Sequence, residues 1–123
     1  MATLHSHKEL IVWQRSMDLV LSVYKISSLF PPDEKFGLTS QMRRAVVSIP
    51  SNIAEGRARG TRKEFVQFVR IAFGSCTELE TQLLIAQKLP FKEKIDYTKT
   101  LGLLSEVSKM LRSIIFKLGP EQN

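Results

Sequence analysis

Apolar positions return at three- and four-residue steps along four stretches of the chain, the period of a helix with one buried face. No long alternating run appears, and no Asn-Gly or Asp-Gly turn marks a hairpin. The first stretch sets Leu10, Trp13, Met17, Val20 and Tyr24 on one stripe and predicts a helix over about 7–29, stopped by Phe30-Pro31-Pro32. Ser6-His7-Lys8-Glu9 at its start has the form of a capping box, with a Ser oxygen for an exposed N–H and a Glu three residues on. The second stretch carries Met42, Ala45, Val46, Ile49 and Ile53 over about 38–57. Pro50 lies inside it, yet the stripe resumes in phase at Ile53, so one helix kinked at Pro50 is expected rather than two.

Gly56 and Gly60 bracket the next break, and Thr61-Arg62-Lys63-Glu64 is a second capping box. The third helix is expected over about 62–89, with Phe65, Val69, Ala72, Cys76, Leu79, Leu83 and Ala86 as its seam and Pro90 at its end. The fourth, over about 92–118, rests on Leu101, Leu104, Val107, Leu111, Ile114 and Leu118, and Gly119-Pro120 stops it. Short links between long helices make neighbours antiparallel. The fold class is therefore all-α, an antiparallel up-down four-helix bundle, in one domain over 1–123.

Some apolar residues miss these stripes. Opposite the seam of the third helix lie Gln67, Ile71, Gly74, Glu78, Thr81 and Ile85, and in the second helix Val47 and Ala54 fall off the core face. A glycine inside a helix costs about 1 kcal/mol against alanine, which a close helix approach would repay. Val47, Ala54, Ile71, Gly74 and Ile85 are thus read as an oligomer interface; the alternative is scattered surface apolar residues. On the polar side of the second helix run Arg44, Ser48, Ser51, Glu55 and Arg59, with Glu55 and Arg59 spaced for an ion pair. Asn52, at the edge of the stripe, is placed to bind a neighbouring helix.

Charge changes the picture. The net charge is +6, and it is unevenly placed. Between residues 41 and 70 seven bases (Arg43, Arg44, Arg57, Arg59, Arg62, Lys63 and Arg70) meet only Glu55 and Glu64. Six of these are arginines, whose forked donors suit phosphate as lysine does not. These seven are the candidate nucleic-acid contacts, to RNA or DNA alike. The alternatives are a solvated hinge, or arginines that pair between subunits of an interaction scaffold. Cations at the start of the third helix also oppose its dipole, so helix stability alone does not call for them there.

Candidate chemistry is sparse, and a non-enzymatic protein without cofactor or metal is expected. Cys76 stands alone on an apolar stripe and reads as a small hydrophobe, with no disulfide framework. His5 and His7 lack further ligands for a metal site. No phosphate-binding loop, nucleophile elbow or CxxC occurs. Glu55 and Glu78 read as salt-bridge partners of nearby arginines rather than as a catalytic pair. The N-terminus has no signal-peptide pattern and no apolar run approaches a membrane span, so a cytoplasmic protein without membrane attachment is expected.

The strings FGLTSQMRRAVVSIPSNIAEG and AFGSCTELETQL, with Glu64-Phe65 between them, resemble the four-helix-bundle proteins encoded in intervening sequences of bacterial 23S ribosomal RNA genes. The likeness runs from LIVWQRSMDL through the fourth helix. It implies a homopentamer. Relatives of that family serve as accessory proteins of diversity-generating retroelements, where a basic pentameric barrel binds nucleic acid and a reverse transcriptase. Both the interface and the cationic surface are what the resemblance leads one to expect.

Overall fold

The computed structural model describes residues 6–119; His5 and Pro120, invoked above, lie outside them. Four helices follow in order: α1 (Ile11–Ser27), α2 (Leu38–Arg59), α3 (Arg62–Lys88) and α4 (Thr98–Leu118), with no strand among the described residues. Each helix packs on two others. α1 touches α2 and α4, α3 touches α2 and α4, and the diagonal pairs do not meet. The result is a four-helix bundle around one core, in which Leu19, Val23, Met42, Val46, Ile49, Ile53, Val69, Leu79, Leu83, Val107 and Leu111 are fully buried.

α1 differs from expectation twice. Ser6 does cap, accepting from the Lys8 N–H at 3.2 Å, but what it caps is a separate 3-10 turn, His7–Glu9. Leu10 is extended, and α1 begins only at Ile11. Its core face is Val12, Ser16, Leu19, Val23 and Ile26, turned from the expected stripe. Leu10, Trp13 and Val20 are half-buried at the edge, while Met17 and Tyr24 are exposed. Two serines disguised the true stripe. Ser16 and Ser27 are buried because their hydroxyls donate to the Trp13 and Tyr24 carbonyls of their own helix, at 2.7 and 3.3 Å.

α2 runs unbroken through Pro50 and two residues past its expected end. Proline leaves the preceding turn short of an N–H donor. The carbonyl so deprived is that of Val46; the Ser51 and Asn52 side chains donate to the next two, Val47 and Ser48, at 2.8 and 2.7 Å. The Asn52 amide therefore serves its own helix, not a neighbour. The two glycines also divide their work. Gly60, at φ 86°, makes the left-handed cap of α2, whereas Gly56 is helical and buried. A Cβ at Gly56 would stand 2.7 Å from Phe68 Cβ, so this glycine lets α2 and α3 close up.

The α3 start is as expected: Thr61 Oγ1 accepts from the Glu64 N–H at 3.1 Å. Its seam is buried, with Val66 added and Phe65 half-buried at the edge. α4 begins six residues later than expected. Asp96 Oδ1 accepts from the Thr98 N–H at 2.9 Å just ahead of the helix, whose N-cap residue, Tyr97, makes no side-chain cap bond. Before it the chain packs in non-helical form, Phe91 lying 5.1 Å from Phe30 and Ile95 resting on the core. Thr100 joins the α4 core positions and bonds Ser22 across to α1 at 2.6 Å.

Candidate nucleic-acid interface

The link from α2 to α3 brings the C-terminal turn of one helix beside the first turn of the next, and the end of α4 arrives at the same place. Arg57, Arg59, Arg62 and Lys63 therefore share one end of the bundle, with Arg70 two turns along α3. Arg43 and Arg44 do not join them; they sit about 20 Å back along α2 at 1.5 Å per residue.

The seven cations differ in how they are held. Arg43 ties α2 to α1. Its guanidinium lies 4.5 Å over the Tyr24 ring, with Nε donating to Ser27 Oγ at 2.8 Å. Arg59 pairs with Glu55 at 2.8 Å and Glu64 at 3.6 Å and lies over the Phe68 ring. The expected Glu55–Arg59 pair is thus present. Arg62 donates to the Leu118 and Lys117 carbonyls at 2.8 and 3.5 Å. That explains one cation that opposed its own helix: its charge serves the C-terminus of α4, where the dipole is negative. Arg57 lines a cleft of about 680 Å³ with Phe65, His7 and Leu118. Arg44, Lys63 and Arg70 take no hydrogen bond or ion pair among the described residues, and all three are exposed. Glu78 pairs with no arginine; it accepts from Gln82 at 3.4 Å.

Beside this end lies a cleft of about 560 Å³ between the start of α3 and the end of α4. Arg62, Lys63, Gln67 and Arg70 line it together with two apolar residues, Val66, nearly fully buried, and Leu118, whose side chain is exposed there. Sequence reasoning missed Gln67, Leu118 and Gly119 here because only tertiary packing brings the end of α4 to α3. A Cβ on Gly119 would stand 2.5 Å from the Ile115 carbonyl oxygen and 3.2 Å from Arg70 Nη2, so the glycine lets the chain turn close over the end of α4.

The expected interface residues are on the surface. Val47, Ile71 and Ile85 are 40%, 45% and 45% exposed, and nothing lies within 4 Å of a Cβ placed on Gly74. Ala54 is half-buried in a groove of about 300 Å³ between α1 and α2, beside Trp13, Met17, Val20, Val47 and Pro50. Trp13, expected in the core, stands at this groove edge-on to His7. Among the described residues no group of three or more His, Cys, Asp or Glu is arranged for a metal ion, and no helix is long and apolar enough to cross a membrane.

The family model for the 23S rRNA-intervening sequence protein matches residues 8–113. The chain belongs to this family. The match takes in α1, α2 and α3 entire, so all seven candidate cations and all five surface apolar positions fall within the family's span. Leu118 and Gly119, which complete the cleft, lie beyond the matched residues. A comparison with curated proteins found no match.

Proposed function

We propose that this 23S rRNA-intervening sequence protein is a non-enzymatic, cytoplasmic bacterial protein that assembles with copies of itself and grips RNA or DNA backbone through the α2–α3 end. The observation that carries this reading is the gathering of Arg57, Arg59, Arg62, Lys63 and Arg70 at one end, with Lys63 and Arg70 left without acidic partners among the described residues. Phosphate contact by such groups releases condensed counterions, so affinity falls steeply with salt. A homopentamer, as the resemblance implies, would repeat the weak contact around a ring and strengthen it by avidity. The exposed Val47, Ile71 and Ile85, with Gly74, support self-association. Short links, and the reach of Arg62 to the Leu118 carbonyl, support an up-down antiparallel order, with α2 bent at Pro50.

The test is the mass of the purified protein in solution by light scattering, alone and then with a short RNA and a short DNA duplex over a salt series. An oligomer that gains mass with nucleic acid and sheds it as salt rises is the expected result. An oligomer indifferent to both at low salt overturns the reading. It would favour the second one, an interaction scaffold that meets a protein partner such as the reverse transcriptase of the retroelement relatives. In that alternative the arginines make subunit or partner contacts, and since Arg43, Arg59 and Arg62 are engaged within the chain, Arg44 and Arg70 are the ones left for it.

A further inference from the structure

The cleft between α3 and α4 has more than a phosphate contact requires. Lys63 and Arg70 stand at it with no partner among the described residues, and Arg62 holds its rim by bonding the end of α4. Cations alone suffice to meet the backbone of a duplex, whose phosphates point outward and whose bases stay stacked inside. Here they share the cleft with two apolar residues, Val66 and Leu118, and with the Gln67 amide, which likewise has no hydrogen bond among the described residues. An apolar surface is wasted on a phosphate. It suits the face of an unstacked base, with an amide at hand for the base edge and cations for the phosphate beside it.

We propose that this cleft takes one nucleotide of a single-stranded nucleic acid, its base over Val66 and Leu118 and its phosphate on Lys63 and Arg70. The inference rests on the nucleic-acid reading above and narrows it to single strands.

Fluorescence anisotropy tests it with three labelled probes on the full chain: a twelve-residue oligothymidylate, the same phosphodiester length without bases, and a twelve-pair duplex. The wild-type protein should bind the base-bearing strand about tenfold tighter than the abasic one, the scale of one base's worth of contact. In the variant Leu118→Ala that preference should collapse to within about twofold, by the same scale, whereas Lys63→Gln with Arg70→Gln should weaken the base-bearing and abasic strands alike. The wild-type comparison needs no variant, so misfolding cannot mask the result. Equal affinity for base-bearing and abasic strands overturns the proposal and leaves the electrostatic reading standing. So does a preference for duplex, or a base preference that survives in the Leu118 variant. Failure of all three probes to bind at low salt overturns both.

Discussion

A methyl group at Gly56 has nowhere to go: Phe68 Cβ lies 2.7 Å from where it would stand, and the Phe65 carbonyl 3.3 Å away. Both neighbours are anchored in α3, so relief requires α2 and α3 to part. Gly56→Ala should lower unfolding stability by about 1–3 kcal/mol, the usual range for an overpacked core, as urea denaturation would read it. A midpoint unchanged from wild type would refute the close approach. Cys76 gives a second expectation at this scale. Burial pushes its thiol up to about 11, against a small opposing effect of the Ser108 hydrogen bond. Little thiolate forms near pH 8, so a disulfide reagent should react slowly with the folded protein and rapidly once denaturant exposes it. Prompt reaction of the native chain would contradict that burial. At the residue scale the sequence was legible wherever a type carries one meaning. Cys76, Met42 and Leu79 are core as their stripes require. Gly56 was misread as part of a turn because only the partner helix, distant in pattern, explains it.

Helix existence was readable from period and punctuation, and helix edges only where a cap is local. Thr61 announces α3 because its bond closes within three residues. The start of α4 is expected six residues early, since Lys92 to Ile95 carry nothing that forbids a helix, whereas Phe91 packs on Phe30 and Ile95 on the core in non-helical form. Asp96, just ahead of the helix, is the local mark of its start. Hydrogen bonds from the Thr98 hydroxyl and backbone hold its carboxyl below the usual carboxylate range. A depressed folded value means that the contribution of this bond is full above the unfolded value, about 3.9, and is lost as pH falls through the folded one. Asp96→Ala should therefore destabilise at pH 6 and lose its difference from wild type in strong acid. A gap that persists at low pH would show that the carboxylate is not the cause. The α1 stripe failed for another reason. With apolar residues on several faces, the inward face was decided by tertiary fit, and the serines that satisfy themselves on their own helix made it look polar.

The candidate site belongs to the whole molecule, and that limits how much of it a sequence can show. The concentration of charge between residues 41 and 70 was plain. Its division was not. Arg43 became a bridge to α1 and Arg62 a cap for α4, roles that need partners 16 and 56 positions away. The cleft beside Arg70 likewise forms only once the end of α4 meets the start of α3.

The same packing sets an order of opening. α2 and α3 share by far the most extensive of the four helix contacts, across a short link, while α1 and α4 complete the bundle by meeting each other from opposite ends of the chain. Contacts between sequence neighbours form at least entropic cost. In hydrogen exchange the amides of Val46, Ile49, Val69 and Ala72 should be the slowest, and those of α1 and α4, each less extensively packed, should exchange through partial openings well below global unfolding. Equal protection in all four helices would contradict this. If α4 does lift first, Leu118 and the Arg62 bond leave with it, and the cleft exists only in the fully closed state.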